Sequence, residues 1–256
     1  MTDLPIIVAN WKMSLGYQDT ISLIKKYISL SLSTTNCRLI ISPSSFVLSE
    51  AFKLVQDAEL GIAAQDCSMY EGLGAYTGEI SAEQLASLGI HSILLGHSER
   101  REYLQESTKA INNKLKLALQ SGLEVYLFIT ESAEDNLHNG STEQLVHQLN
   151  TILFGIAADK YNVENIHLVY EPAWAISTSL GHHNPNPDLV NERASFIKGY
   201  FSRHCMIDGE KIKVLYGGSV NSDNCNSYIT LSDIDGLLVG SSSIDIMEMK
   251  KIITKL

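Results

Sequence analysis

The chain has 256 residues, 45% of them apolar, and a formal net charge of −10. That is enough material for one large hydrophobic core. The acidic balance, with no basic cluster beyond Lys25–Lys26 and Lys250–Lys251, argues against a nucleic-acid binder. No apolar run approaches the roughly 20 residues of a membrane-spanning helix.

Eight short apolar runs punctuate the sequence: Ile6–Asn10, Arg38–Ser42, Leu60–Ala64, His91–Gly96, Glu124–Ile129, Ile166–Tyr170, Ile212–Tyr216 and Gly236–Gly240. Continuously apolar runs suit strands buried on both faces. Most are followed by helical spacing, such as Ile21, Ile24, Tyr27 and Ile28 after the first and Leu145, Leu149, Ile152 and Leu153 after the fifth. A strand that returns parallel to its neighbour needs a crossover of a dozen residues or more, usually a helix. Eight such units in this length predict an α/β fold, a closed (β/α)8 barrel, rather than an open sheet. Two domains would fit the length, but no linker interrupts the rhythm, so residues 1–256 read as a single domain. Gly181–Asp188 reads as an insertion within a loop. The segment Gln65–Glu79, long and without helical pattern, is expected to be functional or an interface. Asn112–Leu119 reads as a helix closed by Gly122.

Chemistry in such a barrel belongs at the C-terminal ends of the strands, and three candidates stand there. His97 follows Gly96 and opens a helix-compatible segment. The positive end of a helix disfavours imidazolium and keeps the ring a neutral donor; the alternative is a histidine that only caps the turn. Glu171 follows an apolar strand, where a carboxylate is costly unless paired or functional. Apolar neighbours would raise its pKa toward that of a useful base; the alternative is an ion-paired carboxylate at the rim. Lys12 could hold an anion or stabilise developing negative charge, or be an ordinary exposed lysine. Gly217-Gly218-Ser219 and Gly240-Ser241-Ser242 end the seventh and eighth strands, where backbone N–H groups commonly cradle phosphate.

Cys37, Cys67, Cys205 and Cys225 show no close pair and no metal-type spacing, and no secretory signal is evident. Free thiols in a reducing cytosol, hence a cytoplasmic protein, are expected. The adjacent His182 and His183 lack partners at ligand spacing and read as loop rather than metal site.

Five motifs, in order along nearly the whole chain, carry a resemblance. They are Asn10-Trp11-Lys12-Met13, Gly74-Ala75-Tyr76-Thr77-Gly78-Glu79, Gly96-His97-Ser98-Glu99-Arg100-Arg101, Tyr170-Glu171-Pro172-Ala173-Trp174-Ala175-Ile176 and Tyr216-Gly217-Gly218-Ser219-Val220. Together they resemble the triosephosphate isomerase family, whose glutamate base, neutral histidine and closing loop are well-described chemistry. The resemblance implies catalytic roles for Lys12, His97, Glu171 and Glu99, and substrate binding by Asn10, Lys12, Ser177, Ser219, Gly240 and Ser241. It implies a lid carrying Trp174, a homodimer through the Gly74–Glu79 loop, a small phosphorylated triose as substrate, and no metal or organic cofactor.

Departures from the family pattern cluster near the site. Phe128 and Thr130 stand where cysteine and glycine are usual, Ser177, Ser179 and Leu180 alter the lid, Ser241 replaces a glycine and Ser14 an asparagine. An isomerase of another phosphosugar, such as a four-carbon ketose phosphate, is the alternative these departures raise. A non-catalytic barrel scaffold is a further one, since fold does not guarantee function.

Overall fold

The computed structural model describes residues 4–34, 36–131, 142–175 and 184–256. The strands are β1 (Ile6–Asn10), β2 (Arg38–Ser42), β3 (Gly61–Ala64), β4 (Ser92–Leu95), β5 (Glu124–Glu131), β6 (Ile166–Pro172), β7 (Val214–Tyr216) and β8 (Gly236–Val239). All neighbours pair parallel and β8 pairs with β1, which closes the barrel. The helices are α1 (Tyr17–Ser31), α2 (Leu48–Val55), α3 (Ala82–Leu88), α4 (Ser98–Tyr103), α5 (Thr108–Gln120), α6 (Glu143–Ile152), α7 (Pro187–Cys205), α8 (Cys225–Ile229) and α9 (Ile246–Thr254). Among the described residues every strand is followed by at least one of them, as the alternation predicts. The helix predicted over Asn112–Leu119 lies inside α5, and Gly122 just beyond it has φ +75°, the left-handed conformation that favours glycine.

The period of two along each strand splits the core into two layers. Ile7, Ala9, Leu39 and Ile41 face outward and pack with helical residues such as Ile24 and Tyr27. Ile6, Val8, Ile40, Ala63, Leu94, Tyr126, Phe128, Val169, Leu215 and Leu238 fill the interior, so the barrel is packed rather than hollow. Closure between β8 and β1 depends on Gly236, where a Cβ would lie 2.2 Å from the Ile6 carbonyl oxygen.

Two strands run past their expected ends. β5 continues to Glu131 and β6 to Pro172, with Thr130 opposite Glu171 and Glu131 opposite Pro172. The extension is stabilised by burying Glu131 with partners: Tyr170 Oη donates to Oε2 at 2.5 Å and Arg193 Nε to Oε1 at 3.3 Å. Glu171 therefore sits in the strand, held by its ladder, rather than in the loop after it. β7 is shorter than expected: it begins at Val214, and Ile212 serves as the C-cap of the preceding 3-10 turn Gly209–Lys211.

The N-terminal end of the barrel is closed by a charged knot. Arg38 donates to both carboxylate oxygens of Glu124 at 2.5 and 2.6 Å, Ser92 Oγ adds a bond at 2.8 Å, and His167 Nε2 lies 2.5 Å from Oε1. Burial alone would raise the Glu124 carboxyl, but the bonds from His167 and Arg38 outweigh it and hold it far below its usual 4.5. A carboxyl depressed by folding stabilises the protein fully above its unfolded value, and that contribution fades as pH falls toward the folded one. With Arg38 half-exposed, Glu124→Gln is expected to cost about 1–3 kcal/mol at pH 7. Urea unfolding should show the gap to the parent protein narrowing from about pH 5 downward; a gap independent of pH would contradict the assignment.

Candidate active site

Lys12, His97 and Glu171 converge at the C-terminal end of the strands. Lys12 has φ +50°, a strained conformation for a non-glycine residue that persists only where its surroundings enforce it. Here its N–H donates to Asn10 Oδ1 at 3.0 Å. Its carbonyl accepts from Ser44 Oγ at 2.8 Å and Gln65 Nε2 at 2.9 Å. The ammonium that this backbone aims inward bonds Glu99 Oε1 at 2.6 Å. Strain at this position with three supporting bonds speaks against an ordinary surface lysine.

His97 is the N-cap of α4, and its Nδ1 accepts from the Glu99 N–H at 3.1 Å. A ring nitrogen that accepts a hydrogen bond carries no proton, so the neutral ring presents Nε2–H. The capping and chemical readings of His97 are thus one arrangement: the cap frees the other nitrogen for use. Gly96 before it adopts φ +84°, and its carbonyl accepts from Arg101 Nε at 2.8 Å.

Glu171 is almost fully buried, at 1% exposure. Its Oε2 accepts from the Ser98 N–H at 2.9 Å. Its Oε1 lies 3.3 Å from His97 Nε2 without a formed hydrogen bond, and has no other hydrogen-bond partner among the described residues. No lysine or arginine lies within ion-pair distance of it among those residues. A buried carboxylate oxygen left unpartnered beside an imidazole N–H can take up a proton and give it back.

The glycine turns meet the same lysine. Lys12, Gly217, Gly218, Ser219, Val220, Leu238, Gly240 and Ser241 line one small cleft, and the Lys12 stem passes within 3.6 Å of where a Gly240 Cβ would stand. Gly217 and Gly218 let the turn pack closely on the strand ends, since a Cβ would fall 2.6 Å from Val169 and 2.2 Å from the Tyr216 hydroxyl. The Ser219 N–H donates to the Ala175 carbonyl at 3.1 Å, so it faces the foot of the Trp174 segment rather than the cleft. Ser241 is exposed. Ser177, the altered positions Ser179 and Leu180, and His182–His183 lie outside the described residues. A roomy cavity of about 740 Å3 opens at the opposite end, among Arg38, Gly61, His167 and Lys213. Size is a poor guide here, because none of the three convergent residues reaches it.

Several supporting residues were not legible beforehand. Arg101 Nη2 donates to the Phe128 carbonyl at 3.4 Å and to Gln148 Oε1 at 3.3 Å. Gln148 also clamps both backbone groups of Thr130 at 3.0 and 2.9 Å. Burial draws Arg101 down to about 10, leaving it a cation at neutral pH. Gln148 sits beside Leu149 of an apolar stripe and gives no local signal; Arg101 was part of a quoted motif without a role of its own. Below them, Lys114 is enclosed by Asp66, at 2.7 Å, and Glu106. Burial and Glu106 push Asp66 up to about 6 against the pull of Lys114 and Arg100.

The sequence matches the model of the family described as triosephosphate isomerase over residues 5–256. It is 39% identical over 242 residues to the triosephosphate isomerase of Dictyoglomus thermophilum, covering 93% of this chain and 94% of that one. The enzyme of the same name from Geotalea uraniireducens is 32% identical over 241 residues, with 94% of each chain covered. That of Bacteroides fragilis is 34% identical over 250 residues, with 97% of each covered. The match runs through all eight strand–helix units that bring Lys12, His97 and Glu171 together, and the chain belongs to the triosephosphate isomerase family.

Proposed function

We propose that this isomerase interconverts D-glyceraldehyde 3-phosphate and dihydroxyacetone phosphate, the aldose–ketose step shared by glycolysis and gluconeogenesis. One observation carries the reading: Lys12 belongs at once to the acid–base cluster, through Glu99, and to the glycine-walled cleft. A substrate with its phosphate in that cleft is thereby set with its carbonyl end toward His97 and Glu171.

Glu171 removes the proton alpha to the carbonyl and returns it to the neighbouring carbon, leaving its bond to Ser98 to do so. His97 donates from Nε2 to the carbonyl oxygen and serves both oxygens of the enediolate. Lys12 offsets the charge that develops there, Asn10 fixes the Lys12 backbone, and Glu99 orients both the Lys12 ammonium and the His97 ring. Amides around Ser219, Gly240 and Ser241, with Ser177 of the lid, hold the phosphate; the Ser219 N–H exchanges the Ala175 carbonyl for the anion. The Trp174 lid keeps water from the enediolate.

The four-carbon alternative rests on the departures at Phe128, Thr130, Ser177, Ser179, Leu180 and Ser241 together. Retention of Lys12, His97 and Glu171 with the glycine turns supports the triose reading over it. A coupled assay with both trioses and a four-carbon ketose phosphate tests the reading. Fast triose turnover is expected; a preference for the four-carbon substrate, or binding without turnover, would overturn it.

The protein acts as a cytoplasmic homodimer in this reading. Leu73 and Tyr76 on the Gly74–Glu79 side, with Met13 beside the site, are exposed apolar residues that a second subunit would cover. Tyr76 stacks on Tyr70 with centroids 4.4 Å apart, which gives the loop a rigid tip. Tyr76→Asp with Thr77→Lys is expected to shift the sedimentation coefficient to that of a monomer and to reduce activity. An unaltered dimer would remove this loop from the interface.

A further inference from the structure

We propose that Phe128 is a positioning residue for the His97 imidazole, holding Nε2 toward Glu171 and the substrate; this rests on the isomerase reading above. The two rings meet edge to face, with centroids 4.9 Å apart and planes inclined at 62°. That is a favourable geometry for a pair of aromatic rings. Phe128 is wholly buried and belongs to the interior cluster with Leu94 and Val169, whereas His97 stands above it at the end of the neighbouring strand.

The need for such a support follows from how His97 is held. One hydrogen bond, from the Glu99 N–H to Nδ1, anchors the ring. The ring can turn about its Cβ–Cγ bond only by giving up that one hydrogen bond, and Nε2 has no formed bond to Glu171 to hold its far side. The Phe128 ring, in edge-to-face contact with the imidazole, supplies a second support. The phenyl ring is held by its packing in the fully buried interior cluster. Its carbonyl accepts from Arg101, which also grips the Gly96 carbonyl next to His97, so one side chain ties together the two strand ends that carry the rings. Removing the phenyl group leaves a gap that the surrounding structure closes only in part. The imidazole then samples orientations in which Nε2 no longer faces the carbonyl oxygen.

Phe128→Leu keeps the site apolar and removes the ring. Kinetics should show kcat reduced roughly three- to tenfold, the population loss that matches one aromatic contact, with KM within about twofold because the phosphate grip is untouched. Nitrogen NMR of the His97 side chain should show one tautomer, protonated at Nε2, in the parent protein and an averaged signal in the variant. Ile40→Val, a core change on β2, which pairs with neither β4 nor β5, serves as the control and should leave kcat and the His97 signals unaltered. Should Phe128→Leu fail to fold, Phe128→Met takes its place, with the same outcomes expected. A folded variant with parental kcat and parental His97 signals overturns the proposal. So does a loss of kcat with His97 signals unchanged, since that would mark a purely structural role. Absence of triose turnover in the parent protein would instead sink the functional reading, while the NMR comparison would still decide Phe128.

Discussion

Glu171→Gln is expected to lower kcat by roughly 10²–10⁴ or more, the contribution of a well-placed general base. The amide cannot accept the proton, yet it keeps the shape and the acceptor oxygen that meets the Ser98 N–H. The remaining change is local: an amide NH2 would face the His97 Nε2–H, two donors where a carboxylate oxygen stood 3.3 Å away, and the two groups turn slightly aside. The melting temperature should therefore move by no more than roughly 4 °C, equivalent to about 1–2 kcal/mol in a protein this size. KM should hold, because the phosphate is gripped elsewhere. Stopped-assay kinetics beside a thermal melt decide it. Parental turnover in the variant would take Glu171 out of the mechanism, and loss of turnover with loss of fold would leave the carboxylate a structural part.

Lys12→Met carries the second-largest effect. The strained backbone at residue 12 is held by Asn10, Ser44 and Gln65 through main-chain atoms, so it survives the change and the substitution isolates the ammonium. Two anions then lose their partner: Glu99, bonded at 2.6 Å, and the substrate. An ion pair at about 4 Å in surroundings of this polarity is worth roughly 4 kcal/mol, so kcat/KM should fall by about 10²–10³. The split between the constants is informative. A cation that only holds the ground-state phosphate would raise KM alone, whereas one that also offsets enediolate charge lowers kcat as well. Both are expected to change, because Lys12 spans the cleft and the acid–base cluster. A near-normal enzyme would mean that the anion is neutralised by other groups.

The barrel itself was written plainly along the chain. Eight apolar runs with helical stripes between them leave few topologies, since parallel strands buried on both faces must be nearly all apolar and their connections must be long. The positions of Lys12, His97 and Glu171 after apolar runs could also be read directly. Strand ends were less legible: β5 and β6 carry on through Thr130, Glu131, Glu171 and Pro172, polar or ring-locked residues that look like a stop. Nothing local announces that Glu131 finds Arg193, 62 positions away, and that pairing makes the longer strands affordable.

Local pattern alone determined the fold class and singled out the candidate side chains at the strand ends, because burial periodicity and residue chemistry are properties of neighbours along the chain. Closure of the barrel decided the rest. It set which tautomer His97 presents, through Glu99, and seated Glu171 on Ser98. It turned the Lys12 ammonium toward both halves of the site, and set Phe128 edge to face against the imidazole. Those outcomes depend on distances between strands that lie far apart in sequence, and packing in three dimensions fixes such distances.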